Sequence, residues 1–371
     1  MDTYLETIRA AFFFFPFIAF FLSIPFILWQ YHKLGSISFL KSVIFYCFAL
    51  YLTCAYLLVI LPLPKVEEVA RMTSPRAQLI PFDFVVDFIK HSKFQLFDVS
   101  TYLPALTESY SYVPLYNILL TIPFGIFLRY YFQLNFKQTI IATFLLSLFF
   151  ELTQLSGLYF IYPRGYRLFD IDDLILNTFG GLIGFLVAPI FIKILPSRQS
   201  LDAKTRLRGR QVSGFRRTAA FLFDLIIFLT LFTILDFTLS SYSKNDYMPF
   251  LIAATIYYFL IPLCLKCGTF GIKFLSLQVV DSENSTNLAQ FFLRELIFTV
   301  IYLILPMIIF IILENLFTLT VYEEFIFFIF CIAYFIFCGI SALRFIFTSK
   351  PMFYEKISKT HLVSTIIDEN S

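Results

Sequence analysis

The sequence predicts an all-α polytopic membrane protein, a helical bundle of about nine transmembrane helices in two modules. Of its 371 residues, 59% are hydrophobic, 20% aromatic and only 14% charged. Mean hydropathy is +0.81, too apolar for a chain that keeps its whole surface in water. The 52 phenylalanines are spread through successive apolar runs rather than gathered in one core, as helices facing acyl chains require. Most of those runs are close to 20 residues long, the length that crosses ~30 Å of hydrocarbon at 1.5 Å per residue.

The spans fall at roughly 11 to 30, 42 to 62, 114 to 132, 138 to 157, 171 to 192, 218 to 239, 249 to 265, 296 to 318 and 324 to 346. The first is too long for the apolar region of a cleavable signal and has no obvious small-residue cleavage site, so it reads as an anchor. Basic residues orient the bundle. The loop 193 to 217 holds Lys193, Arg198, Lys204, Arg206, Arg208, Arg210, Arg216 and Arg217 against the single acid Asp202, which is expected on the cytoplasmic side. Alternation then puts the His32, Lys33, Lys41 turn inside and segment 63 to 113 outside. The N-terminus falls outside and the C-terminus, with Lys350, Lys356 and Lys359, in the cytoplasm.

The same basic stretch divides the chain into a module at 1-195, a linker at 196-213, a module at 214-347 and a cytoplasmic tail at 348-371. Each positive charge of the linker adds on the order of 1 kcal/mol of attraction to an anionic leaflet, so it reads as an electrostatic tether. Membrane lipids are the expected partners. Nucleic acid is not, because net charge is only +3 and no aromatic or Gly-rich reading motif accompanies the cluster. Cys47, Cys54, Cys264, Cys267, Cys331 and Cys338 all sit in or beside spans, which argues against a disulfide framework; the Cys264/Cys267 pair reads as helix packing.

Polar groups inside apolar spans mark candidate sites, because each must find a partner to offset its desolvation. In RLFDIDDLILNTFGGLIGFLV, residues 167 to 187, Asp170, Asp173, Asn177, Gly180, Gly181 and Gly184 share one helical arc of roughly 100°, with Asp172 on the opposite side. Glu151 and Gln154, three residues apart, share a face of the preceding span. Glu151 lies ~9 Å below that span's outer end at 1.5 Å per residue, a depth comparable to that of Asn177. Antiparallel neighbours bring these groups together. Asn117 starts the span before them, and Pro123 and Gly125 farther along it favour a bend or a close helix contact. Gly180 and Gly184 form a GxxxG packing pair.

LIPF at 79 to 82, NILLTIPFG at 117 to 125, the Glu151/Gln154 pair and Arg167 with DIDDLILNTFGGLIG at 170 to 184 together resemble the VanZ family of bacterial membrane proteins, over roughly residues 42 to 192. The first span is an addition to the usual four-span unit. The resemblance implies a bacterial cell membrane and an association with low-level resistance to teicoplanin, a lipid-bearing glycopeptide. The expected site is therefore ligand-binding and faces the outer leaflet. Asn117, Glu151, Gln154, Asp170, Asp173 and Asn177 supply oxygens and amides, and Arg164 and Arg167 reach toward an anionic headgroup. The ligand class is a cell-wall lipid precursor or a lipoglycopeptide. A plainer role for Asp170 is to cap the helix that follows it.

In the second module, GFRRTAAFLFDLIIFL places Arg217 and Asp224 seven residues apart on one helix face. The run from 266 to 296 then alternates Leu275, Leu277 and Val279 with Ser276 and Gln278, predicting a small interfacial hairpin or re-entrant element that ends at Arg294 and Glu295. The Arg217/Asp224 pair, GTFGIK, QVVD and LREL resemble the RDD family over about 214 to 346, although Ile272 separates Gly271 from Lys273 where GK is commoner. The VanZ-then-RDD order resembles fusion proteins of Gram-positive bacteria. This second resemblance implies a polar cluster of Arg217, Asp224, Lys273 and Arg294 and an alternative function, cation/proton exchange using intramembrane acids. The plainer reading is a charge pair of Asp224 with Arg217 or Arg294 that sets helix packing. A third reading is metal-dependent hydrolysis of a lipid-linked phosphate, with Glu151 as base and Asp173 as ligand. No nucleophile motif accompanies it, and His32, His91 and His361 fall in loops or the tail. No enzymatic activity and no cofactor are expected, and the residues leave any metal open.

Overall fold

The computed structural model describes residues 2–239, 247–314 and 321–366. Among them it is an all-α polytopic membrane protein with eight helices long and apolar enough to span a bilayer. The ninth expected span, 249 to 265, is a shorter apolar run, Met248–Cys264. Its π-helical turn Ile256–Leu260 ends two residues before Pro262, and a second π turn, Val300–Ile304, ends two residues before Pro306. A proline ring clashes with the carbonyl four residues back and has no N–H to donate, so the ladder widens just ahead of it. Contacts divide the chain into unit 1, residues 1–22 and 39–201, and unit 2, residues 23–38 and 202–371. Helix α1 (Asp2–Leu34) contributes to both.

In unit 1, α2 (Phe39–Ile60) is followed by an irregular stretch carrying α3 (Val66–Ala70), β1 (Ala77–Gln78), α4 (Asp83–His91) and α5 (Tyr102–Leu106). Next come α6 (Ser109–Tyr130), α7 (Phe136–Leu155), the single turn α8 (Gly157–Phe160), β2 (Phe169–Asp170) and α9 (Ile171–Ile194). Strands β1 and β2 pair in parallel, Ala77 with Phe169 and Gln78 with Asp170. Helices α7 and α9 are the most enclosed spans, 39% and 33% buried against 11% for the first span. They therefore carry the unit's polar interior, while Phe12, Phe13 and Phe21 of α1 stay exposed to face lipid. Asn135 starts α7 with a capping box, its side chain and that of Gln138 each accepting the other's backbone N–H at 3.0 Å.

Glycine sets how closely α9 approaches its neighbours. A Cβ on Gly180 would stand 2.2 Å from the Ile118 carbonyl oxygen of α6, and one on Gly184 would stand 2.1 Å from that of Ile122. Gly181 faces α7, where a Cβ would meet the Thr143 hydroxyl at 2.3 Å. Backbone contact of this kind needs residues without a side chain. Two polar bonds fasten it: Thr121 Oγ1 donates to the Asn177 carbonyl at 2.6 Å, and Arg129 donates to that of Phe185 at 2.7 Å. The Arg129 guanidinium also lies 4.1 Å over the Phe185 ring.

Unit 2 continues with α10 (Arg198–Gly209), α11 (Gly214–Leu239), α12 (Met248–Thr255), α13 (Ile261–Cys264), α14 (Phe270–Phe274) and β3 (Leu277–Asp281). It closes with α15 (Leu288–Thr299), α16 (Leu305–Glu314), α17 (Val321–Phe347), α18 (Phe353–Ile357) and β4 (Thr360–Ser364). The basic linker is thus largely helical. Its end packs tightly, because a Cβ on Gly209 would stand 2.0 Å from the Leu34 carbonyl oxygen. The local hairpin expected within 266 to 296 is not what forms: β3 pairs antiparallel with β4, Leu277 opposite Ser364 through Asp281 opposite Thr360. The reason lies at Asp281, whose carboxylate accepts the N–H groups of Glu283 and Ser285, each at 2.9 Å, and the Ser285 hydroxyl at 2.7 Å. These bonds turn the chain toward α15, which Asn287 caps. Leu277 and Val279 on one face of the strand and Val280 on the other are buried, and its edge is completed by the C-terminal segment. That segment, expected as a tail at 348-371, is ordered secondary structure in α18 and β4; residues 367–371 lie outside the described residues.

Candidate functional site

The polar face of α9 meets α6 and α7 at the end where α9 begins. Asp170 precedes the helix with extended backbone, and its carboxylate accepts the Asp172 N–H at 2.9 Å, capping the first turn. Its own N–H donates to Glu151 Oε2 at 2.9 Å, which ties the start of α9 to α7. Glu151 is 2% exposed. Asn117 of α6 donates to the carboxylate of Asp173, joining the third helix. One turn deeper, Asn177 donates to Ser147 Oγ at 3.0 Å, and Ser147 donates to the Asp173 carbonyl at 3.3 Å. Asn117, Glu151, Asp170, Asp173 and Asn177 are therefore drawn into neighbouring bonds at one end of unit 1. The Asn177 Oδ1 is buried without a partner among the described residues.

The loop above this network is gripped by carbonyl acceptors. Tyr166 donates to Ile60 at 2.9 Å and Tyr162 to Pro64 at 2.8 Å. Arg164 donates to the carbonyls of Met72 and Ser74, and Arg167 to that of Leu61. Both arginines expected to reach a headgroup thus have terminal nitrogens engaged by backbone. Gln154, also expected in the site, donates to the Val59 carbonyl at 3.0 Å and so fastens α7 to α2, apart from the Asp170–Asp173 bonds.

Asp172, turned about 100° around α9 from Asp173, holds the irregular segment in place. Its two oxygens accept the N–H of Phe82 at 2.6 Å and of Phe84 at 3.1 Å. Phe82 has φ of 65°, a left-handed conformation that a bulky residue adopts only when its surroundings hold it there. The Asp172 bonds supply that restraint. They also start α4, so Asp83 and Asp87 stand near the head of α9. The resulting cavity of about 240 Å³ is lined by Asp83, Asp87, Asp170, Asp172, Asp173 and Gln78, among others. Burial pushes the Asp170 carboxyl above its ordinary range, and the neighbouring carboxylates of Asp172 and Asp83 add to this, while the Asp172 N–H opposes it. Among the described residues no group of three or more His, Cys, Asp or Glu side chains is arranged to hold a metal ion. Sequence reasoning missed Asp83, Asp87 and the anchoring role of Asp172; the one signal was that Asp172 sits alone on its face of the helix.

In unit 2 the expected cluster is only partly assembled. Asp224 accepts three bonds of 2.6 Å, from Tyr257, Thr269 and the Gly271 N–H. Arg217 pairs instead with Glu355 of α18 at 3.1 Å and donates to the Lys350 carbonyl at 3.1 Å. Arg294 pairs with Glu295 and, at 3.6 Å, with Glu355. Arg217, Asp224, Arg294 and Glu295 still line one small cavity of about 50 Å³. Lys273 stands elsewhere, its ammonium 3.4 Å from the Lys266 carbonyl. Glu355 was missed because it follows the last span by sequence. Arg216, expected among the basic residues of the 193 to 217 loop, is fully buried. It donates to the carbonyls of Gly209, Leu275 and Ser276 and to Ser364 Oγ, at 2.7 to 3.0 Å, joining the linker end to both strands.

No curated protein and no solved structure matches the chain. The family match stops at residue 192, so the RDD likeness of residues 214 to 346 rests on its motifs alone. Residues 48–192 match the VanZ/LLP1 family model and contain every member of the unit 1 network, so this part of a polytopic membrane protein is VanZ-like.

Proposed function

We propose that the VanZ-like unit is a binding module that takes, or senses, the polar head of a cell-envelope lipid or lipoglycopeptide at the outer leaflet. The observation that carries this reading is the cavity lined by Asp83, Asp87, Asp170, Asp172 and Asp173, built between α4 and the starts of the apolar helices α6 and α9. The excess of Lys and Arg in the 193 to 217 loop supports placing the opposite end of α9, where this cavity lies, outside. Leu79, Ile80, Phe82 and Ile89 of the adjoining segment are exposed, which suits contact with the interfacial layer of that leaflet. Cavity charge selects the head. Arg164 and Arg167 stand outside its lining, whose charged groups are all carboxylates, so the group accommodated is an ammonium rather than a phosphate. Retention of such an amphiphile away from its target would give low-level teicoplanin resistance.

Equal amounts of wild type, Asp173→Asn and Glu151→Gln, purified in neutral detergent, test the reading with teicoplanin and with phosphatidylethanolamine, each free or N-acetylated. The wild type should bind the free amines at least tenfold more tightly than the acetylated forms, and Asp173→Asn should remove most of that difference. Glu151→Gln should weaken binding less, because Glu151 positions Asp170. Unchanged binding in both variants would end the proposal.

A further inference from the structure

The cavities of unit 2 point to a second ligand. We infer that the end of unit 2 formed by the linker, α18 and β4 binds the phosphate of an anionic phospholipid, with an acyl chain lying along the adjacent groove. The first support is a cavity of about 570 Å³ lined by Lys356, Lys359, His361, Ser282, Ser349 and Thr360, among others. Among the described residues the ammonium groups of Lys356 and Lys359 make no hydrogen bond or ion pair, so both charges are available. Arg217 and Glu355 also line the cavity, 3% and 2% exposed. They neutralise each other at 3.1 Å, and Arg294 stands behind Glu355 at 3.6 Å. The acid in the wall is thereby compensated, and the lysines leave the cavity net positive. Hydroxyls of Ser349 and Ser282 supply donors a phosphate oxygen needs.

The second support is what lies next to that cavity. Pro351 belongs to its wall, while the following residue, Met352, lines a separate apolar groove of about 290 Å³ together with Tyr302, Cys338, Ala342, Phe345 and Tyr354. A basic chamber and an apolar groove separated by one strap of backbone match a headgroup and its chain. A free phosphate would use only the first. Lipid is also the solvent of α17, whose Leu343 and Phe347 are exposed.

Native mass spectrometry of the full chain in neutral detergent, titrated with phosphatidylglycerol, phosphatidylcholine or inorganic phosphate, separates these cases. The wild type should prefer phosphatidylglycerol to phosphatidylcholine. Lys356→Gln with Lys359→Gln should cut phosphatidylglycerol affinity about tenfold or more, and Lys356→Arg with Lys359→Arg should restore it. Ala342→Trp, on the exposed side of α17, should weaken lipid binding by filling the groove. Lys65→Gln with Lys93→Gln, exposed in unit 1, should change nothing. Elution volume and melting temperature establish that each variant is folded. Equal lipid retention by the glutamine pair, or displacement of lipid by inorganic phosphate with no effect of Ala342→Trp, would overturn the inference.

Discussion

Asp170, Asp172 and Asp173 are consecutive or nearly so in sequence yet do three different things. Asp170 caps α9, Asp172 holds the N–H groups of Phe82 and Phe84, and Asp173 meets Asn117 of α6. Helical geometry separates the last two, since one 100° step turns a side chain from one neighbour to another. A pH dependence follows from Asp170. Its folded carboxyl is raised, first by burial, so it takes up a proton before an ordinary aspartate does. An ammonium ligand needs the ionised form. Affinity for an amine-bearing amphiphile should therefore begin to fall at a pH above ~4, the ordinary aspartate range, and Asp170→Asn should shift that onset downward in a binding titration from pH 7 to pH 4. Stability moves the other way: the folded state holds this proton more tightly than the unfolded chain, so acidification through the window favours the fold at this residue. An onset identical in wild type and Asp170→Asn would assign the titration to another group.

At the scale of elements, the junction of α6 and α9 decides whether the cavity exists. A Cβ on Gly184 would press to 2.1 Å from the Ile122 carbonyl oxygen, a backbone atom that cannot rotate away, so the helices must part. Gly184→Ala should cost about 1 to 3 kcal/mol, read as a lowered melting temperature in detergent. Gly339 has open space around its Cβ position, and Gly339→Ala should leave melting unchanged. The spans and the glycine stripe were legible in the sequence because apolar length and a 100° periodicity carry both. The partners were less so. Gln154 shares a face with Glu151 but donates to Val59, and Arg217 shares a face with Asp224 but pairs with Glu355. A helical face limits which way a side chain points, whereas the nearest acceptor depends on segments far away in sequence. The pairing of β3 with β4, 87 positions apart at Leu277 and Ser364, escaped a local reading for the same reason.

At the scale of the molecule, unit 1 and unit 2 each hold their own polar chemistry. In unit 1 carboxylates converge beside an apolar, exposed segment. In unit 2 lysines line a chamber next to an apolar groove. The charge signs suit different heads, ammonium in the first and phosphate in the second, and they agree with the proposed topology, in which the basic loops face the cytoplasm and the acidic cavity faces out. Side of the membrane is thus the claim on which the functional account rests. It is tested most directly by single cysteines placed at Asp87 and at Lys204 in a background with the six native cysteines replaced, each treated in intact cells with a membrane-impermeant maleimide. The account predicts labelling at position 87 without permeabilisation and at position 204 only after it. Labelling at 204 in intact cells with protection at 87 would contradict it.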